Sequence, residues 1–306
     1  MKAKDKILHG LANLPPPAYN AFMLNPQTGY QLNSPALWQS ELPCPHANSH
    51  KYNRGYVLIQ GGYPVTGASR LAAMAAARSG AGITAIAVPE IAFPIYASQL
   101  LSIMVKPYAS TPDLHALIHD QRVGALLIGP GAGCSQETRL TTLTMLQTGK
   151  PVVIDADALT AFARQADYLG KAIMAPCVLT PHHGEFQRLF DLKPAADLDE
   201  RIRQVQTASR QINAVILLKG AKTVIAAPDG KVIVNENAAP TLATAGAGDV
   251  LAGMITSFLA QGMPALQAAA AATWIHGEAA RLFGTGLIAE DLPELVPQVM
   301  AALLIH

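Results

Sequence analysis

Charge is scarce in this chain of 306 residues. Only 14% of the residues are Asp, Glu, Lys or Arg, and the formal net charge is +1 with no basic block anywhere. A nucleic acid or an anionic membrane surface would call for such a block, so partners of that kind have no electrostatic support. Cysteine is scarce too. Cys44, Cys134 and Cys177 are odd in number, widely spaced and form no C-x-x-C pair. That argues against a disulfide framework and a zinc site, and for a reduced, cytoplasmic compartment. Long hydrophobic runs are missing as well. The most apolar stretch, Pro264–Ile275, is too short to cross a bilayer, mostly alanine and interrupted by Gln267. Met1–Leu14 has no apolar centre and does not read as a secretory signal.

What remains is apolar. Half of the residues are hydrophobic, enough for one large core. Residues 1–50 carry seven of the chain's prolines between Pro15 and Pro45 and keep no period, so they read as an irregular arm with short helices around Ser34–Ser40. From residue 51 to 306 apolar strands and helices alternate. Strands are expected at Tyr56–Gln60, Ile83–Val88, Ile103–Val105, Ala125–Ile128, Val152–Ile154, Val178–Thr180 and Val215–Leu218. Helices are expected at Gly67–Ser79, Ile91–Leu100, Pro112–His119, Gln136–Gln147, Ala158–Ala166, Gly184–Phe190 and Leu198–Gln211. Thr223–Ala227 and Val232–Asn235, joined by Pro228-Asp229-Gly230, read as a hairpin. Helices Gly248–Ala260, Pro264–Phe283 and Leu292–Leu304 complete the chain. Short, uniformly apolar strands alternating with helices imply an α/β fold: a mostly parallel central sheet with helices on both faces.

Ligands of such sheets bind outside the carboxyl ends of the strands. The loops there are unusual. They are Gly61-Gly62, Gly129–Gly133, Asp155-Ala156-Asp157, Thr180–Glu185, Lys219–Thr223 and Ala245–Asp249. In the last of these, Gly246, Ala247 and Gly248 are small enough for a ligand to approach the backbone. Behind them Val250, Leu251, Met254, Ile255, Phe258 and Leu259 form one helical face. The bare N–H groups opening that helix suit an anion. Asp249 in the first turn has two readings. It is either a base that takes a proton from an attacking hydroxyl or a complement to the helix dipole.

Other candidates divide the same way. Gly62–Ser69 approaches a Walker A loop but has Ala68 where the lysine belongs, which speaks against a P-loop nucleotidase. It also fails the G-x-G-x-x-G pattern of a dinucleotide fold. Asp155 and Asp157 could face a magnesium-bound water, with Asp157 better placed as a helix N-cap. His182 and His183 are adjacent and cannot chelate one metal from a helix or strand, so no protein metal site is expected. His182 is either a ligand contact or a structural histidine. Lys219 ends a buried strand and must reach an anion or solvent.

Taken in order, "SHKYNRGYVLIQGG", "GASRLAAMAAARSGAGITAIAVP", "LLIGPGAG", "VVIDADAL", "LTPHHGE", "VILLKGAKTVI" and "LATAGAGDVLAGMI" resemble the ADP/ATP-dependent NAD(P)H-hydrate dehydratase family of the ribokinase-like superfamily. The resemblance covers roughly residues 49–285. It implies a ribokinase-like fold that dehydrates (6S)-NADHX or NADPHX to NADH or NADPH, consuming ADP with Mg²⁺ and releasing AMP and phosphate. Asp249 matches the catalytic acid/base position. Ala68, Gly131, Gly133, His182 and Asp249 match hydrate-binding positions. Lys219, Gly220, Ala221, Lys222 and Thr223, with Gly246, Ala247 and Gly248, match the nucleotide-binding ones. A cytoplasmic homo-oligomer, a tetramer, is implied too. Three departures stand out: Ala247 where the family commonly has serine, His183 where it usually has proline, and no Thr-Gly pair in Asn235–Pro240. Fifty residues ahead of the module are too few for the epimerase domain often fused there. A small-molecule alcohol kinase and a non-catalytic nucleotide-binding protein are the alternatives.

Overall fold

The computed structural model describes residues 29–304. The first 28 residues of the expected arm, and residues 305–306, lie outside that range. Ten strands form one sheet. In chain order they are β1 (Gln31–Leu32), β2 (Tyr56–Gln60), β3 (Ile83–Pro89), β4 (Met104–Tyr108) and β5 (Ala125–Ile128). Then come β6 (Val152–Ile154), β7 (Cys177–Leu179), β8 (Val215–Leu218), β9 (Thr223–Ala226) and β10 (Val232–Asn235). Their spatial order is β1-β10-β9-β8-β7-β6-β5-β2-β3-β4. From β8 to β4 every pairing is parallel, with Val57 opposite Ala125 and Leu126 opposite Val152. β9 is antiparallel to both of its neighbours, β8 and β10.

Helices cover both faces because the strands alternate two apolar sets. Val57, Ile59, Ile86, Leu127 and Val153 pack with the helices α1 (Gly67–Arg78), α9 (Ala247–Ala260), α10 (Ala265–Phe283) and α11 (Asp291–Leu304). Leu58, Leu126, Ile128, Ile154 and Leu179 face the other way. There they meet α3 (Thr111–Ile118), α4 (Gln136–Leu146), α5 (Ala156–Thr160), α6 (Ala166–Gly170), α7 (His183–Phe190) and α8 (Leu198–Ile212). The remaining helix, α2 (Phe93–Ala97), follows a 3₁₀ turn at Glu90–Ala92. Local sequence sets several boundaries. Ser110 and Asp113 form a reciprocal capping box on α3, and Asp197 caps α8 through the Glu200 N–H at 2.8 Å.

Three local expectations need correction. The stretch after Gly29 contains a strand that periodicity did not reveal: Gln31 and Leu32 pair in parallel with Ile233 and Val234. Trp38 beyond it is fully buried, packs tilted against Trp274 with ring centroids 5.9 Å apart and donates from Nε1 to Asn33. Two residues are too few to show a period of two. The expected helix Ala158–Ala166 is instead two short helices, α5 and α6, separated by turns and by Arg164 at φ 58°. Asp157 is not the N-cap. Asp155 holds that position, and Asp157 lies inside the first turn of α5.

Candidate active site at the carboxyl edge of the sheet

The strands β2, β5, β6, β7 and β8 end at one edge, and α9 opens toward it. The loop after β2 touches the loop after β5. A Cβ on Gly62 would fall 1.7 Å from the carbonyl oxygen of Gly131, so only glycine allows this approach. A Cβ on Gly131, whose φ is +68°, would lie 3.6 Å from that of Ala68. Ala68 and Gly131 are therefore neighbours. Gly133 belongs to the same loop, and its N–H donates to Asp157 Oδ2 at 2.8 Å. That bond ties the β5 loop to the β6 loop, which is the work Asp157 performs in place of capping.

His182 is the N-cap of α7. Its Nδ1 accepts the N–H groups of Gly184 and Glu185 at 3.0 and 3.3 Å, while Glu185 Oε2 accepts the N–H of His182 at 2.8 Å. A structural task is thus filled by Nδ1, while Nε2 lies 3.3 Å from Glu185 Oε1 on a half-exposed ring. The backbone of His182 runs beside Lys219, whose N–H donates to Pro181 O at 2.9 Å.

Lys219 does not turn out to solvent. Its ammonium is 2.9 Å from Oδ1 of buried Asp155, and it lies 3.2 Å from where a Cβ on Gly248 would stand. The positive charge therefore sits in front of the first turn of α9. Burial by itself would lower the Lys219 pKa. Asp155, with Glu185 and Asp249, outweighs that and holds it above the ordinary lysine value. No side chain caps α9, and Gly246 serves as its N-cap at φ 92°. The uncapped N–H groups of this turn thus face an ammonium, an arrangement whose electrostatics suit an anion.

Asp249 stands in that turn. Burial, and then the charge of Asp155, push its pKa up to about 7. Lys219 pulls it back, and Asp157 and Glu185 add smaller upward pushes. An ordinary aspartate has lost its proton well below this pH; Asp249 exchanges one near neutrality, where a general base is most effective.

The remaining predicted residues divide. Thr223, buried at the start of β9, closes the Lys219–Thr223 loop by donating to Gly220 O at 3.0 Å. Ala221 is exposed at its tip. Lys222 turns away to pair with Glu236 at 2.7 Å, so its side chain is not part of the cluster around Asp249. Two residues went unnoticed in the sequence. Glu185 completes the His182 cap. His276, on α10, is buried beside the Ala247 backbone, and that burial pushes its pKa down to about 4, so it is neutral. A histidine within the alanine-rich run 268–280 was the available signal.

A sequence profile described as NAD(P)H-hydrate dehydratase matches residues 56–298. The chain belongs to the NAD(P)H-hydrate dehydratase family. It is 40% identical over 275 residues to a bifunctional NAD(P)H-hydrate repair enzyme of Salinibacter ruber, covering 85% of this chain and 50% of the relative. The chain thus spans about half the length of the bifunctional relatives it matches. An ADP-dependent (S)-NAD(P)H-hydrate dehydratase of Cenarchaeum symbiosum is 34% identical, with 85% of this chain and 93% of the relative covered. Among solved structures, the ADP/ATP-dependent NAD(P)H-hydrate dehydratase of Bacillus subtilis, co-crystallised with ATP/Mg²⁺, superposes with a TM-score of 0.76 at 29% identity. That match covers 89% of this chain and 98% of the other. Arabidopsis thaliana ribokinase, at 12% identity and a TM-score of 0.56, shares the fold alone. The fold is thus ribokinase-like, with the mostly parallel sheet expected of it.

Proposed function

We propose that the protein is an ADP-dependent dehydratase of (6S)-NADHX and NADPHX. The observation that carries this reading is Asp249, a carboxylate exchanging its proton near pH 7 in the first turn of an uncapped helix that faces the ammonium of Lys219. Two chemical needs meet there: a proton acceptor and a cradle for a transferring phosphoryl group.

The hydroxyl of the hydrate is a poor leaving group. Asp249 takes its proton as the oxygen attacks the terminal phosphorus of ADP, and AMP departs. The N–H groups of Gly246, Ala247 and Gly248, with Lys219, stabilise charge on the phosphoryl oxygens. The ring nitrogen beside the phosphorylated carbon then expels phosphate, a proton leaves the next carbon, and the dihydropyridine is restored. Ala68, Gly131 and Gly133, with His182 through Nε2, line the hydrate half. The Lys219–Thr223 loop lines the nucleotide half, Lys222 through its backbone.

A Mg²⁺ fits this site as a passenger of the nucleotide. Among the described residues no three His, Cys, Asp or Glu converge as a metal cage. Mg²⁺ is characteristically held by substrate phosphates with one or two carboxylates, and Asp155 and Asp157 are the groups at hand. When bound, it supplies neutralisation of phosphate charge. A cytoplasmic location and a tetrameric assembly accompany this reading. Among the described residues no helix is long and apolar enough to cross a membrane.

The test is direct: the hydrate, ADP and Mg²⁺ are incubated with the protein, and the near-ultraviolet absorbance of reduced nicotinamide is followed. Absorbance returning in step with AMP and phosphate supports the reading. A phosphorylated product without absorbance would instead mark a kinase.

A further inference from the structure

Tyr96 is fully buried in α2, yet its hydroxyl is aimed at a loop. It donates to the carbonyl oxygen of Gly62 at 2.7 Å and lies 2.8 Å from Oγ of Ser69, which is also fully buried. A phenol has one proton. With that proton on Gly62, the Ser69 hydroxyl must be the donor to Tyr96. Two buried side chains, from α1 and α2, thus serve one backbone carbonyl.

That carbonyl belongs to the turn joining β2 to α1. Gly62 presses against the backbone of Gly131, and a Cβ on Gly131 would stand 2.6 Å from Val65 O and 3.6 Å from the Ala68 Cβ. Any movement of the turn therefore moves Ala68 and Gly131 together. The Lys219 ammonium is held by Asp155, and neither hydroxyl bonds to the first turn of α9.

We infer that Tyr96 and Ser69 are positioning residues for the hydrate half of the site: their hydroxyl pair fixes the Gly61–Thr66 turn, and with it Ala68 and Gly131, leaving the nucleotide half independent. This rests on the dehydratase reading for the identity of the ligand, but its mechanical content does not. Misplacing a substrate-holding loop by a fraction of an ångström weakens binding and orientation without touching the reacting groups.

The decisive variant is Tyr96→Phe, which keeps the ring and removes the hydroxyl, with Ser69→Ala as its milder partner. KM for the hydrate should rise about tenfold in Tyr96→Phe and less in Ser69→Ala. The affinity for ADP should stay within about twofold, and kcat within about threefold. In parallel, hydrogen exchange at the amides of residues 61–66 should accelerate in Tyr96→Phe while those of residues 247–251 stay unchanged. A lowered melting temperature with unaltered hydrate KM would overturn the inference. So would equal losses for hydrate and ADP, or unchanged exchange at residues 61–66. The exchange measurement needs no turnover, so it decides the clamp even if the wild-type protein fails to dehydrate the hydrate; that failure would count against the proposed function alone.

Discussion

Replacing Asp249 by Asn separates a base from an ornament of the helix. The amide keeps the shape and hydrogen-bonding capacity of the carboxyl group but cannot accept the proton. If Asp249 is the base, turnover falls by about 10²–10⁴, or roughly 2.7–5.4 kcal/mol of transition-state stabilisation. The wild-type rate should rise with pH through a limb near 7, where Asp249 loses its proton, and the residual rate of Asp249→Asn should lack that limb. Stability changes in the opposite direction. Between pH 3.8 and about 7 the folded chain holds a proton on Asp249 that the unfolded chain has released, so stability falls as pH rises through this window. The shift from 3.8 to about 7 bounds that loss at about 4 kcal/mol, and relaxation with water entry reduces it to roughly 1–2 kcal/mol. Asn carries no such charge, so the variant should be the more stable protein at pH 8 and should bind ADP as well or slightly better. The assays are turnover against pH, urea unfolding at pH 5 and pH 8, and ADP titration on one folded preparation. Near-normal turnover, or a limb near pH 7 that survives the substitution, would refute the reasoning.

Three further outcomes are expected. Lys219→Met strands the buried Asp155 carboxylate and removes the charge that lowers the Asp249 pKa. Urea unfolding should show a loss of roughly 3 kcal/mol, and the pH–rate limb should move to higher pH. Gly248→Val places carbon against the Lys219 ammonium, so the rise in melting temperature produced by saturating ADP should shrink or vanish in thermal denaturation. Trp38→Ala empties a fully buried position between the β1 segment and α10, at an expected cost of about 3–5 kcal/mol by denaturant unfolding.

The alternation of apolar strands and helices, read with the ordered glycine-rich and polar loops, was enough to give a mostly parallel sheet covered on both faces and to place the candidate residues at the carboxyl ends of its strands. Those features are local: a buried parallel strand must be apolar throughout, and an anion-binding turn must be small. Contacts between distant segments were not legible. Nothing in the sequence pairs Asp155 with Lys219, 64 positions apart, yet that pair keeps the lysine at the mouth of α9, where Asp155 raises the Asp249 pKa and Lys219 lowers it. The two-residue β1 was too short to carry a period, and only its pairing with β10 makes it a strand. Asp157 could be read as a cap from its position beside a helix, whereas the approach of Gly133 gave its carboxylate another partner. The bond between Tyr96 and Ser69 was not legible in the sequence, because a hydroxyl's partner is fixed by the packing of α1 and α2 around the β2 turn and not by spacing along the chain.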